Sequence, residues 1–229
     1  MPDQKYLRRV RSFVRREGRL TKGQQRALDS LLPIYGLNFD NNELVSAQTV
    51  FQRDAPLHLE IGFGNGQALV SMAGANPQND YIGIEVHRPG VGNALLQIEQ
   101  QQLTNVRVIC DDAVEVLKQH IPATSLNAVY IFFPDPWHKK CHHKRRLVQV
   151  PFINLLKTRL KPNGIVHMAT DWEDYAQHML AVMGEVEGFS NLAGQNQFSE
   201  KPDYRPLTKF EQRGLRLGHG VWDLLFQKT

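Results

Sequence analysis

Several acidic side chains in this 229-residue chain recur at matching points of a repeating pattern, each beside the end of a short apolar run. Glu60 leads into the glycine-rich stretch Gly62-Phe63-Gly64-Asn65-Gly66, and Glu85, 19 residues beyond Gly66, closes the next run. Asp111 and Asp112 close a third, and Asp135 follows a fourth within Phe132-Phe133-Pro134-Asp135-Pro136-Trp137. Any one of these acids alone reads as a helix cap or a solvated turn. In register they describe a ligand-binding rim. Gly62 and Gly64 let the backbone turn sharply and come close to a ligand. The spacing is G-x-G-x-G, not the dinucleotide G-x-G-x-x-G, because Gln67 follows Gly66. A carboxylate at Glu60 repels a pyrophosphate and attracts an ammonium group. Glu85 is placed to accept from both hydroxyls of a ribose, and a carboxylate at Asp111-Asp112 to accept from an adenine amine. The set suits an amine, a ribose and an adenine without phosphate, the chemistry of S-adenosyl-L-methionine.

A second constellation points to a different ligand. Prolines on both sides of Asp135 restrict its backbone. Trp137 offers a flat face on which a base can stack, an interaction worth about 1–3 kcal/mol in single-strand binding. The cations Lys139, Lys140, Lys144, Arg145 and Arg146 follow at once, interleaved with Cys141, His142 and His143. Such a run beside a base pocket suits a phosphate backbone. Five cations in one loop oppose a bound zinc ion, so no metal is expected. Asp171, in Ala169-Thr170-Asp171-Trp172, belongs either to the same rim or to a helix N-cap. Thr208, Lys209, Phe210 and Glu211 bring polar, cationic and aromatic groups together after a loop punctuated by Pro202 and Pro206.

These residues need a frame that sets the acids side by side. Short apolar runs at 57–61, 81–85, 106–110, 127–133 and 164–169 read as strands, with a late strand at 221–226. Between them lie helices at 67–75, 94–102, 147–160, one that Asp112 caps and that runs through 119, and one starting near Asp171. The alternation predicts an α/β fold with a doubly wound, mostly parallel sheet, the late strand antiparallel. Ligands of such sheets bind at the carboxyl ends of the strands.

The net charge of +4 hides a strong segregation. Residues 1–26 hold nine basic and two acidic residues, and 139–146 hold five basic and none acidic. Outside them 13 basic residues face 21 acidic ones, a body of about −8. Two basic segments on an acidic body predict a polyanionic partner. Residues 1–55 read as a basic arm over 1–26 that adds little to the core and an approach segment over 27–55; 56–229 read as the domain that holds the S-adenosyl-L-methionine site. No apolar run is long enough to span a bilayer, the basic start lacks the apolar stretch of a secretory signal, and two cysteines make no disulfide framework. The expectation is a cytoplasmic monomer or homodimer with no obligate protein partner.

The chain resembles the bacterial tRNA (guanine-N7-)-methyltransferase (TrmB) family from about residue 57 onward. The resemblance rests on Leu59-Glu60-Ile61-Gly62-Phe63-Gly64-Asn65-Gly66, Gly83-Ile84-Glu85-Val86-His87, Phe132 to Lys139, Lys144-Arg145-Arg146, Ala169 to Trp172, and Thr208-Lys209-Phe210-Glu211-Gln212-Arg213-Gly214. It implies a Rossmann-like class I methyltransferase fold and methylation of a guanine at position 46, in the variable loop of tRNA. It implies that Glu60, Glu85, Asp112 and Asp135 line the cofactor site, with Asp135 also catalytic. It further implies that Lys139, Asp171 and Thr208 to Glu211 meet the substrate and that 141–146 contact RNA. Cys141 stands where similar proteins usually carry a basic residue. The residues by themselves leave three rivals. A nicotinamide oxidoreductase does not explain the third and fourth acids or the basic loop. A non-catalytic RNA-binding protein does not explain the acidic rim. A methyltransferase acting on an exocyclic amine is the nearest competitor.

Overall fold

The computed structural model describes residues 12–13, 18–39, 44–207, 211 and 220–229. Seven strands form one sheet among the described residues: β1 (Leu57–Ile61), β2 (Asp80–Ile84), β3 (Val106–Ile109), β4 (Leu126–Phe132), β5 (Leu160–Thr170), β6 (Phe189–Asn191) and β7 (Trp222–Lys228). Their order is β3-β2-β1-β4-β5-β7-β6. The first five are parallel to their neighbours. The late strand β7 runs antiparallel to β5, as expected, and β6 runs antiparallel to β7.

The period of two along each strand decides which helix it meets. Leu57, Leu59 and Ile61, with Val129 and Ile131 of β4, pack toward α6 (Ala113–Gln119), α7 (Val150–Arg159) and α8 (Glu173–Glu185). Ala128, Tyr130 and Phe132 pack on the opposite face with α4 (Gln67–Ala75) and α5 (Arg88–Gln100). Burial on both faces makes the strands nearly continuous apolar runs, the pattern of a covered parallel sheet. Glu60 falls on the α4 side only because it alternates with Leu59 and Ile61.

The expected elements are present, with informative shifts. The helix expected at 94–102 starts at Arg88, with Pro89 in its first turn; Gly90 and Gly92 hide the helical signal. The strand expected at 164–169 begins at Leu160 and passes through Asn163, whose φ is +63°. The three-residue β6 is too short to show a period.

Ahead of β1 stand α1 (Lys22–Ser30), α2 (Leu32–Tyr35) and α3 (Ala47–Phe51). Thr21 and Gln24 form a reciprocal cap at the start of α1, with bonds of 3.2 and 2.8 Å. Ala27, Leu28 and Leu31 are buried, and α1 lies along α5. The approach is close: a Cβ on Gly92 would sit 3.1 Å from the Gln24 carbonyl oxygen. Arg26 pairs with Glu99 at 2.7 Å. The start of the approach segment thus joins the core, with Gln24 at the end of the basic arm buried beside it.

Candidate active site

Sheet order reverses between β1 and β4, so their carboxyl ends diverge and leave a crevice. A cleft of about 1280 Å³ opens there, lined by Glu60, the Gly62-Phe63-Gly64-Asn65 turn, Glu85, Asp111, Asp112, Asp135, Asp171 and Trp172 among others. Drug-sized pockets run to roughly 1000 Å³, so the cleft has room for a nucleoside-sized donor and part of a second molecule.

Gly62 and Gly64 have φ of +73° and +56°, and a Cβ on either would meet nothing within 4 Å. They line open space, a cradle that side chains would fill. Gly66 serves packing instead: its Cβ would lie 2.5 Å from that of Ala94.

Glu60 is buried, and its Oε2 has no hydrogen-bond partner among the described residues. Burial, and secondarily the charge of Glu85, pushes its carboxyl up from the ordinary 4.5 to about 8. A buried unpaired carboxyl at a cleft is costly unless a cation completes it. A cationic group such as an ammonium would meet that need. Glu85 holds the rim differently. Its Oε2 accepts from the Gly64 amide at 2.8 Å, and Oε1 accepts from Val86 at 2.7 Å and His87 at 2.9 Å. Three of a carboxylate's roughly four acceptor positions are thus spent on backbone amides, one in the glycine turn and two just after β2, leaving less for ribose hydroxyls than sequence reading expected. Asp112 caps α6 through Val114 at 3.0 Å, and Asp111 accepts from the Asp112 amide at 2.7 Å.

Asp135 is exposed at the cleft. The turn that carries it is bracketed by two non-glycine residues in the left-handed region, Phe133 at φ +52° and Trp137 at φ +50°. Such residues cost on the order of 1–3 kcal/mol each and persist where the surroundings hold them. Phe133 donates to the Ala169 carbonyl at 2.8 Å, extending the β4–β5 ladder.

Trp137 is not among the lining residues, and its ring is in use. The Arg145 guanidinium lies 4.0 Å over it, and its Nε1 donates to the Ser12 carbonyl at 3.2 Å. The aromatic residues lining the cleft include Phe63, Phe132, Phe133 and Trp172, the last edge-on to His138 at 4.3 Å. Asp171 lines the cleft, but the α8 N-cap is Trp172, whose amide donates to Thr170 Oγ1 at 3.2 Å.

The basic run divides. Lys139, Lys140, Cys141, His142 and Lys144 are exposed on and beside a short 3-10 turn, Lys140–Arg145. His143 is half-buried near Asp174, and Arg145 also donates to the Phe13 carbonyl at 3.2 Å. Arg146, expected to contact RNA, is only 3% exposed and faces inward. Glu211, expected to meet substrate, is 2% exposed, with both oxygens accepting from Arg205 at 2.7 and 2.9 Å. In this structure both charges face protein partners: the exposed Asp174 carboxylate for Arg146 and the buried Arg205 guanidinium for Glu211. Thr208, Lys209 and Phe210 lie outside the described residues.

Arg205 was missed by sequence reading. Fully buried, it also grips Asp223 at 2.6 and 2.8 Å. Asp223 contacts His167 Nε2 at 2.7 Å, and His167 Nδ1 contacts the Tyr204 hydroxyl at 2.9 Å. Burial works to raise the Asp223 carboxyl, but hydrogen bonds from His167 and Arg205 outweigh it and hold the group below its ordinary value. Burial dominates at His167 and lowers it. An isolated arginine before a proline carries no sequence signal of such a network.

Residues 54–224 match the family described as "Putative methyltransferase". The tRNA (guanine-N(7)-)-methyltransferase of Alcanivorax borkumensis is 60% identical over 98% of this chain and 93% of its own length. That of Yersinia pseudotuberculosis is 58% identical over 97% and 92%. Among solved structures, the 16S rRNA methyltransferase KamB shares the fold at a TM-score of 0.60 and 13% identity, covering 82% of this chain and 95% of its own. The strand order, the glycine cradle and the acidic rim define a class I methyltransferase that uses S-adenosyl-L-methionine. Identity of this degree across nearly the whole length narrows the class: the chain belongs to the bacterial tRNA (guanine-N7-)-methyltransferase family.

Proposed function

We propose that this chain methylates N7 of a guanine in tRNA, at position 46 of the variable loop. The observation that carries the reading is the unpartnered buried oxygen of Glu60 opening on the same cleft as the exposed Asp135. When bound, the donor supplies an electrophilic methyl group on a positively charged sulfur. Glu60 pairs with its ammonium, the Gly62–Gly64 cradle admits its length, and Glu85 and Asp112 border the nucleoside end. Guanine N7 already carries a lone pair, so no side chain has to remove a proton before attack. The residues need only align the two molecules, which is worth roughly 7–11 kcal/mol of barrier. Asp135 accepts from the N–H edge of the guanine and stabilises the positive charge that grows on the purine. Trp172 and Phe133 supply flat apolar walls for the base, and Lys139, Lys140 and Lys144 meet phosphates.

The test is incubation of purified protein with methyl-labelled donor and bulk tRNA, followed by nucleoside analysis. The expected product is 7-methylguanosine, absent when position 46 is not guanine. Label on an exocyclic amine, or on N7 at another position, would refute the assignment.

A further inference from the structure

Arg146 ends a run of cations, yet it does not behave as one of them. Lys144, two residues earlier, is exposed; Arg146 is 3% exposed. Its Nε donates to the Pro136 carbonyl at 2.9 Å. Its Nη2 pairs with the Asp174 carboxylate and lies 3.1 Å from His143 Nε2. The guanidinium plane sits 4.8 Å over the Tyr175 ring, and the Tyr175 hydroxyl in turn accepts from the Val148 amide at 3.2 Å.

The segment it holds needs holding. Phe133 and Trp137 both stand in the left-handed region, so the turn between them stores strain. Pro134 and Pro136 have no N–H, so the turn has few donors with which to tie itself down. Beyond the Phe133 amide, restraint must come through its carbonyls, and Arg146 takes the one next to Asp135. A guanidinium is suited to this. Its planar fork reaches a carbonyl and a carboxylate at once, which a single ammonium on a flexible stem does not reproduce.

We propose that Arg146 is a positioning residue: it fixes Asp135 through the Pro136 carbonyl and does not act on RNA phosphates. The inference rests on the proposed function, in which Asp135 is the working carboxylate.

The experiment compares wild type, Arg146→Gln, Arg146→Lys, Asp174→Asn and Lys144→Gln in steady-state methylation of tRNA. Donor affinity, the salt dependence of tRNA binding and the thermal midpoint are measured alongside. A displacement of about 1 Å can cost on the order of 100-fold in rate. Arg146→Gln should therefore lose roughly 100-fold in kcat, with KM for tRNA within about twofold of wild type and an unchanged salt slope. Arg146→Lys should recover part of the loss. Asp174→Asn, a change at an exposed carboxylate, should show the same split at smaller amplitude, and it reads the effect should Arg146→Gln fail to fold. Lys144→Gln should instead flatten the salt slope. A raised KM and flattened slope in Arg146→Gln with kcat preserved would overturn the inference. So would unchanged kcat in both Arg146→Lys and Asp174→Asn, or a loss in Arg146→Gln that Arg146→Lys does not improve. All three results leave wild-type methylation of guanine N7 standing; absence of that activity in the wild type sinks the underlying reading instead.

Discussion

Glu60→Gln should stabilise the donor-free protein in alkaline solution while weakening its hold on the donor. The glutamate carboxyl titrates near 8 in the folded chain against an ordinary 4.5, because burial, then Glu85, disfavours its charge. The folded state therefore keeps a proton that the unfolded state releases. Glu60 costs least below about pH 4.5; stability falls as pH rises toward 8 and then levels off. The gap corresponds to on the order of 5 kcal/mol, a large share of the 5–15 kcal/mol that typically separates folded from unfolded. Glutamine keeps the shape and does not titrate.

Urea unfolding of both proteins at intervals from pH 5 to 9 isolates the effect, since every other titrating group is common to the pair. The curves should nearly meet at pH 5 and diverge above it, the variant becoming the more stable. Donor binding supplies the reciprocal test. Pairing with an ammonium requires the ionised carboxyl, so wild type should release a proton on binding and bind more tightly as pH rises toward 8. A hydrogen bond to a charged group is worth about 1.5–3 kcal/mol, so Glu60→Gln should lose roughly 10- to 100-fold in donor affinity together with the proton release. Parallel stability curves, or donor binding with no proton released by wild type, would refute the reasoning.

Asp135→Asn should lose roughly 100- to 1000-fold in kcat, the scale of removing one preorganised electrostatic contact, while donor affinity changes by a few fold; near-normal turnover would remove Asp135 from the mechanism. Arg205→Ala leaves Asp223 and Glu211 buried without their cation, a defect that costs about 3–5 kcal/mol. Its thermal midpoint should fall by about 10 °C, and a drop below about 2 °C would show that the network adds little. Gly62→Ala projects a methyl into open space at the cleft, whereas Gly66→Ala drives one to 2.5 Å from the Ala94 Cβ. The first should fold, at a strain of about 1–2 kcal/mol, and bind donor at least tenfold more weakly in calorimetric titration; the second should unfold first in a thermal scan. The reverse ranking would contradict the geometry.

The strands were legible because a sheet covered on both faces needs apolar runs, and each of the five parallel runs ends at, or within two residues of, an acid or a glycine. Glu60, Glu85, Asp112 and Asp135 therefore stood out in sequence and line one cleft in space. What stayed hidden concerns side chains whose partners lie elsewhere in the chain. Sequence reading grouped Arg146 with Lys144 because both are cations in one run; Asp174 and the Tyr175 ring, 28 and 29 residues on, draw Arg146 inward. Trp137 looked like a free stacking surface because nothing in its hexapeptide shows that Arg145 folds back over it. Glu211 reads as a polar group in a recognition motif until Arg205 is placed against it. The contribution of α1 was masked in the sequence: its apolar positions Ala27 and Leu28, with Leu31 at its C-cap, are outnumbered by polar neighbours, most of which face solvent.

Two features of the cleft run against stability, and the fold answers them differently. The Oε2 of Glu60 is left without a hydrogen-bond partner among the described residues, a cost that a bound ammonium would remove. The turn around Asp135 is strained, and no ligand is needed to hold it: Arg146 seizes the Pro136 carbonyl from one side while the Phe133 amide joins β5 on the other. The difference matches the roles proposed for the two groups. A carboxyl that recognises a cation gains affinity from being unsatisfied beforehand, since no existing bond has to break. A carboxylate that acts on a transient charge gains from being fixed beforehand, since reorganisation during the reaction would add to the barrier. Sites of the first kind should tighten and gain stability when the donor binds; the second should look alike with and without it. Hydrogen exchange with and without donor can separate them. Protection should rise around β1 and the Gly62–Gly66 turn, while the amide of Phe133 should be slow to exchange in both states. Fast exchange at Phe133 without donor would show that the Asp135 turn is assembled by the ligand and not by the fold.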